Sequence, residues 1–388
     1  MLIQPHPSTK PEFGSGAVMI CSYGDYTDVL LFRELNLPER ITLDERGRMT
    51  ETAGLLRGLP VAQARDRMVE ELHQRGLVER IETIQHRTPL CGRSRTPIEI
   101  IPMQEYYLKQ VEYLAQLRRL AERMRFHPDA HRQLLLDWLD SVTIDWPLSR
   151  RRYYATEVPV WYCKTCNEPH VPEPGPYYQP WRQQAPFARC RRCGATEFVG
   201  DERTFDTWMD SSVSALYVTK YQRDRPFHRR TYPTSLRPQG KDIVRTWLHY
   251  SILRCWLLTQ HAPFEQAWIF GMGLDEHGRQ MSKSRGNVID PIPILEKYGA
   301  DMFRFWSAQE ASLGYDFRCS EARIAGAGKF LTKLWNLARF ISSFPQPRQR
   351  PRLAAADRWI LAELAHLINE ALAGYREFNF FVPATKVR

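Results

Sequence analysis

The chain has 388 residues, room for two or three domains, and with 43% hydrophobic and 25% charged residues it reads as globular rather than disordered. A net charge of +10 and a pI near 9.2 suit a polyanionic partner, although a basic solvated surface gives the same numbers. No apolar run reaches the roughly eighteen residues of a membrane span, and Met1-Leu2-Ile3-Gln4-Pro5-His6-Pro7 lacks the basic flank and apolar stretch of a secretory signal.

Residues 14–107 mix short apolar runs with turn formers. Gly14-Ser15-Gly16-Ala17-Val18-Met19-Ile20 reads as a loop feeding a strand. Ala62, Ala64, Met68 and Leu72 have helical spacing and predict a helix over 61–76. The segment from Tyr106 to about Leu139 reads as strongly helical. Asp145 to Trp161 changes character, with Arg, Tyr and β-branched residues. Residues 161–200 read as a compact cysteine-bearing insert, with an irregular loop over 172–186. Residues 201–318 alternate strand-like and helix-like patterns, which predicts an α/β layer. Phe330, Leu334, Trp335, Leu337 and Ile341 predict a helix over 326–343. A Pro-rich linker over 345–351 precedes an amphipathic helix from Asp357 to Tyr375.

Of eight cysteines, Cys21, Cys91, Cys255 and Cys319 are scattered, and four form the pairs Cys163-x-x-Cys166 and Cys190-x-x-Cys193. So few cysteines in so long a chain do not make a disulfide scaffold. Each pair can turn back on itself and offer two thiolates to one ion. Together they predict a closed, structural Zn2+ shell that staples an insert too small for its own core. The plainer alternatives are a metal-free loop with buried thiols, or a redox pair.

Gly278-Arg279-Gln280-Met281-Ser282-Lys283-Ser284-Arg285-Gly286-Asn287 combines glycines, hydroxyls and three cations. Such a loop can wrap a triphosphate, with Lys283 neutralising charge on a leaving pyrophosphate. A solvated basic loop is the alternative. Met281-Ser282-Lys283-Ser284, followed by Gly286-Asn287-Val288-Ile289-Asp290-Pro291, resembles the second signature of class I aminoacyl-tRNA synthetases. The resemblance implies that Ser282, Lys283 and Ser284 stabilise adenylate formation and that Gln280 and Met281 also border ATP, which carries Mg2+. Gln280 stands where the family pattern has its first lysine, and Arg279 is expected to substitute in part.

The likeness extends over nearly the whole chain and is closest to the valyl branch in its archaeal-like form. It rests on Thr204-Phe205-Asp206-Thr207-Trp208-Met209-Asp210-Ser211-Ser212 and on Arg237-Pro238-Gln239-Gly240-Lys241-Asp242-Ile243-Val244-Arg245-Thr246-Trp247. Trp146 to Tyr154 and Tyr298-Gly299-Ala300-Asp301 add to it. An isoleucyl relative would show Asp-Ser-Gly where this chain has Asp210-Ser211-Ser212. The resemblance implies that Trp208, Ile243 and Trp247 line a dry slot for the side chain of valine. It also implies that Gly240 permits close backbone approach and that Asp242 accepts hydrogen bonds from the adenosine ribose. Ordinary core packing is the plainer reading of the two tryptophans.

An apolar slot rejects an isosteric hydroxyl analogue weakly, so a second, hydrolytic site is expected for mischarged threonine. Gly14 to Val18 and Gly24-Asp25-Tyr26-Thr27-Asp28 resemble the later half of the family's editing insert, which implies that Asp28, with Asp25 nearby, holds the substrate amino group. Two turn-capping aspartates are the alternative.

The implied fold is α/β. Residues 1–107 are the C-terminal part of a β-rich editing domain, and 108–160 return into the catalytic domain. Residues 161–200 are a zinc ribbon, and 201–325 are the second half of a Rossmann-type catalytic domain. Residues 326–388 begin a helical anticodon-binding bundle. The implied partners are valine, ATP and tRNA(Val), in a cytoplasmic monomer without membrane attachment. The His-x-Gly-His signature is not in the sequence; His127 and His131 enclose Pro128-Asp129-Ala130 instead. The chain is therefore expected to be a piece of the enzyme that depends on a complementary segment. A non-catalytic tRNA-binding or zinc module, or an isoleucyl fragment, is the alternative.

Overall fold

The computed structural model describes all residues except 1, 2, 4, 13, 14, 84, 86, 93, 153, 347 and 350, and the side chain of Ser284. The expectations placed on Gly14 and Tyr153, and on the Ser284 hydroxyl, lie outside the described residues. The chain divides into two compact units, Met1–Gln104 and Glu105–Arg388.

In the first unit, Asp25 caps the helix Tyr26–Glu34 by accepting the Asp28 N–H at 2.9 Å. The helix Val61–Gln74 forms where its spacing predicted, with Ala64 fully buried. The unit is not β-rich. Its β pairing is limited, among the described residues, to the bridges Leu43–Met49, Arg48–Pro60 and Leu90–Pro97. The strand that the loop over 14–20 was expected to feed does not form among the described residues. Val18 and Met19 are exposed, and no neighbouring strand among the described residues takes up the backbone ladder that a strand requires.

The second unit is built on a three-stranded parallel sheet. Phe264–Phe270 lies in the centre, flanked by Arg125–His127 and Thr234–Gly240. Thr234–Gly240 and Phe264–Phe270 are joined through the helix His249–Thr259, a β-α-β crossover. Ala267 and Ile269 are fully buried and Phe264 is nearly so. Leu117, Leu120 and Ala121 of the helix Leu114–Arg123 pack into the same core, with Leu135 and Leu139 of Arg132–Ser141 and Ile252 and Leu253 of His249–Thr259. Truncating Leu253, which has no exposure, to alanine costs about 2–5 kcal/mol of stability in such a site.

The segment from Tyr106 to Leu139 is mostly helical, as expected, but it is interrupted. The stretch is a short strand, two helices and the strand Arg125–His127 between them. Phe126 and His127 are both buried, as a strand covered on both faces requires, and Pro128 offers no N–H to continue a helix. The expected insert contains a three-stranded antiparallel sheet, Pro169–His170, Trp161–Cys163 and Phe198–Gly200 in that order, while 172–186 has no regular structure. The later helices are Pro291–Tyr298, Ala300–Glu310, Glu321–Ser342 and Ala355–Arg376. The last two contain the predicted helices, and the first two pack with Glu321–Ser342 around Trp306 and Ile324. No described helix is long and apolar enough to cross a membrane.

Candidate active site

Parallel α/β sheets gather ligands at the carboxyl ends of their strands. Here Gly240 and Phe270 end neighbouring strands and face each other in register. Gly240 is buried, and a Cβ at this position would stand 2.6 Å from Asp242 Oδ1 and 3.5 Å from Met272 Sδ. The chain then enters a tight turn, Lys241–Ile243, and a wider turn, Val244–Leu248, before the helix. That wide turn carries Trp247 towards the short helix Thr207–Ser211, where its indole N–H donates to Ser211 O at 2.9 Å. Trp208, Ile243 and Trp247 are all half-buried on these elements.

Asp206 fixes the start of the Trp208 helix. One carboxylate oxygen accepts the Trp208 N–H at 3.3 Å. The other accepts Trp146 Nε1–H at 3.1 Å and pairs with Arg150 at 2.7 Å. On the far side, Lys241 pairs with Asp316 at 2.7 Å, and Asp316 also accepts the Met272 N–H at 2.7 Å. Burial pushes the Asp316 carboxyl up, but Lys241 and the Met272 amide outweigh it and hold the group below its usual range.

The loop that follows is organised by Asp275, which is 5% exposed. It accepts backbone N–H groups from His277 at 3.0 Å and Arg279 at 2.8 Å, and its other oxygen takes the Arg279 guanidinium and the Asn287 amide at 2.8 and 2.9 Å. The Asn287 amide and the Arg279 contacts hold this carboxyl well below its ordinary range against the opposing effect of burial. Asn287 in turn accepts the Ser282 N–H at 2.9 Å and donates to Gln280 O at 3.2 Å. These bonds pull the loop into the short turn Lys283–Arg285, closed by Gly286 at φ +66. Lys283 is exposed and has no ion-pair partner among the described residues. Gln280 shapes the loop through its backbone, pairing with Leu274, while its side chain is exposed. Met281 packs beneath, its sulfur 3.5 Å from the Ile289 nitrogen. Arg279, expected to substitute in part for the missing lysine, pairs its guanidinium with Asp275. A cavity of about 560 Å³ opens beside Phe270 and Met272, but none of the residues expected to hold ATP lines it.

The four paired cysteines converge. Their sulfurs lie within 4.8 Å of one another, with Cys163–Cys193 and Cys166–Cys190 each at 3.5 Å. A tetrahedral shell with metal–sulfur bonds of about 2.3 Å places its sulfurs roughly 3.8 Å apart, so the cage fits a zinc ion. At Cys163 burial opposes ionisation, but N–H groups of Cys166 and Thr165 outweigh it and bring the thiol down to about 6. At Cys190 the N–H groups of Cys193 and Arg192 likewise outweigh burial, at about 7. Buried His170 places Nε2 3.4 Å from the Cys190 sulfur, a neighbour that the Cys-x-x-Cys spacing did not reveal.

The family model described as tRNA synthetases class I (I, L, M and V) covers residues 57–320. The chain belongs to the class I tRNA synthetases. A valine--tRNA ligase of Aeropyrum pernix is 48% identical over 99% of this chain and 47% of its own length. The Nanoarchaeum equitans valine--tRNA ligase is 47% identical over 97% of this chain and 50% of its own. The chain thus spans about half the length of these curated relatives. Among solved structures, Mycobacterium tuberculosis methionyl-tRNA synthetase in complex with methionyl-adenylate aligns with a TM-score of 0.56 at 21% identity, over 77% of this chain and 53% of its own. The Agrobacterium radiobacter K84 LeuRS, in a ternary complex with tRNA and LeuAMS, aligns at 0.51 and 22%, over 63% and 36%. At those identities the likeness concerns the fold, which is the mixed α/β fold of the class I synthetase catalytic domain.

In the first unit of this class I synthetase chain, Asp25 serves as a helix cap. Half-buried Asp28 turns its carboxylate back to the Cys21 N–H at 3.3 Å, and burial raises its pKa. A separate cavity of about 450 Å³ is lined by Cys21, Tyr23, Gly24, Phe32, Arg40 and Ile101, among others, without Asp25 or Asp28. Asp206, Arg237 and Asn287 lie inside the motifs, and Asp275 lies just before the Gly278–Asn287 loop, but their roles are not legible there. Their partners lie on elements up to 60 positions away in the chain, so no local spacing marks them.

Proposed function

We propose that this chain belongs to a valine--tRNA ligase and contributes the second half of the catalytic domain that joins valine to ATP as an adenylate for transfer to tRNA(Val). The observation that carries this is the identity of 36–48% with valine--tRNA ligases along nearly the whole chain, on a site at the strand ends. In this reading Trp208, Ile243 and Trp247 enclose the branched side chain of valine. Gly240 lets the nucleotide approach the backbone, and Asp242 receives the ribose hydroxyls. Ser282, Lys283 and Ser284 with Gln280 and Met281 close over the phosphates of ATP, which arrive with Mg2+. The exposed, unpaired ammonium of Lys283 can meet developing negative charge, and the Asp275–Asn287 scaffold holds the turn that presents it.

The same reading assigns 1–107 to part of an editing domain with Asp28 and Asp25 facing mischarged threonyl-tRNA(Val), and 108–160 to the return into the catalytic domain. It assigns 161–200 to a zinc ribbon, 201–325 to the second half of the Rossmann domain, and 326–388 to the start of the anticodon-binding helices. Cys163, Cys166, Cys190 and Cys193 would hold one Zn2+, which supplies a closed structural shell with no position open to substrate. A cytoplasmic, monomeric enzyme belongs to the same reading.

The test is valine-dependent ATP–pyrophosphate exchange by the chain joined with the complementary catalytic segment, with isoleucine and threonine as competitors, and calorimetric binding of a non-hydrolysable valyl-adenylate analogue. Selective response to valine, lost in Lys283→Ala for exchange, is the expected result. An isoleucine preference, or tRNA binding with no adenylate binding, would replace this reading with an isoleucyl enzyme or a binding module.

A further inference from the structure

Arg237 is 5% exposed, yet no carboxylate among the described residues pairs with it. Its Nη2 donates to Ser251 Oγ at 3.2 Å and, more weakly, to Ser214 Oγ at 3.4 Å. Its Nη1 has no hydrogen-bond partner. The guanidinium carbon instead sits 3.7 Å from the centre of the Trp247 ring and 4.4 Å from that of Phe264. Burial lowers its pKa to about 10, so it still carries its charge at neutral pH. A buried cation held by two aromatic faces and two hydroxyls is a costly way to fill a core. It does something that a leucine would not: a planar cation fixes the plane of the ring it covers.

Trp247 is therefore held in two dimensions. The bond from its indole N–H to Ser211 O sets its reach, and the guanidinium sets its tilt. The same guanidinium touches Ser214, just beyond the helix that carries Trp208, and Ser251, on the helix that follows Trp247. It joins the two walls assigned to the amino-acid slot.

We propose that Arg237 is a positioning residue that sets the width of the amino-acid slot by locking Trp247, and so determines how sharply the site separates valine from other side chains. This rests on the reading of Trp247 as a wall of that slot. Arg237 need not touch the substrate. Its removal frees the indole to tilt, which matters more to relative than to absolute affinity. One methylene in an apolar pocket is worth about ten- to two-hundredfold in discrimination, so a loosened wall loses about tenfold.

The experiment uses the full chain and non-hydrolysable valyl-, isoleucyl- and threonyl-adenylate analogues, measured by calorimetry, with near-ultraviolet circular dichroism as a second readout. Arg237→Met and Arg237→Lys are compared with Trp247→Phe and with Arg237→Met/Trp247→Phe. Arg237→Lys keeps the charge and guards against a fold failure in Arg237→Met. The expected result is a roughly tenfold fall in the valyl-to-isoleucyl affinity ratio in both single Arg237 variants, a changed indole dichroism band, and no further fall when Trp247→Phe is added. Unchanged selectivity in folded Arg237→Lys and Arg237→Met, with wild type selective, overturns the proposal alone. Additive losses in the double variant also overturn it, because Arg237 would then act apart from Trp247. If wild type binds none of the analogues, the reading of the slot fails and takes the proposal with it.

Discussion

Asp206 is the residue whose loss should disturb the site furthest from its own position. It is 9% exposed and holds three donors: the Trp208 N–H, the indole N–H of fully buried Trp146, and the Arg150 guanidinium. Asp206→Ala removes a helix cap, worth about 1 kcal/mol. It also leaves the Trp146 N–H without an acceptor in the core, a penalty of about 1–3 kcal/mol. Arg150 loses its counter-charge but keeps the carbonyls of Pro147 and Ser149 at 2.6 and 3.0 Å, so its share is small. The sum is a loss of about 2–4 kcal/mol. Asp206→Asn keeps the volume and an acceptor and should cost about half as much. Urea unfolding followed by near-ultraviolet circular dichroism measures both, since Trp146 stacks on Tyr250 with centroids 3.7 Å apart and 8° between planes. The midpoint should fall without a change in slope. A loss under about 0.5 kcal/mol for the alanine variant would show that Asp206 is a bystander to the Trp208 helix.

His249 gives a pH prediction. Burial lowers its pKa to about 4, and its ring is 1% exposed beside Gln110 at 2.9 Å. The folded value lies below the unfolded one, near 6.5. Protons therefore bind the unfolded chain first, and stability falls as pH drops from about 6.5 towards 4, by at most roughly 3 kcal/mol. His249→Gln should flatten that part of the unfolding-midpoint profile, and a wild-type profile that is flat there would refute the assignment. For the cysteine cage, metal analysis of purified protein should find about one zinc per chain, lost in Cys163→Ser. That variant should become more sensitive to trypsin at Arg182 and Arg189, and zinc-free wild-type protein with unchanged proteolysis would contradict a stapling role. At Gly240, φ is −73, which alanine tolerates, so Gly240→Ala acts only through its Cβ 2.6 Å from Asp242 Oδ1. ATP affinity should fall about tenfold or more while the melting temperature stays within a few degrees; calorimetry showing full-strength binding would remove Asp242 from the ribose site.

What was legible in the sequence is what local spacing encodes. Two Cys-x-x-Cys knuckles must each bring two sulfurs together, and the structure only had to bring the knuckles face to face. The helices Val61–Gln74 and Ala355–Arg376 show their periodicity over several turns. The strand Arg125–His127 was hidden because three residues are too few to show a period, and apolar helical spacing runs on both sides of it. Its identity as a strand is decided by pairing with Phe264–Phe270, more than a hundred residues later.

The site divides in the same way. The residues proposed to meet substrate sit in short motifs, so Gln280–Lys283 and Gly240–Trp247 could be named in advance. The residues that hold those motifs in shape could not. The loop at Lys283 depends on a carboxylate at Asp275 reaching Asn287, twelve positions on. Trp208 depends on Asp206, which is itself tied to Trp146, sixty positions back. In both cases the cation-bearing or apolar residue is presented to the site, while an acidic residue is withdrawn from water behind it. A buried carboxylate needs several donors to be tolerated. Each such carboxylate therefore fixes several backbone segments at once, which suits a proposed site whose nucleotide loop and amino-acid slot come from distant parts of the chain. Asp275→Asn would keep the shape of the hub but remove the charge that draws in Arg279, and should loosen the turn at Lys283 without opening the core.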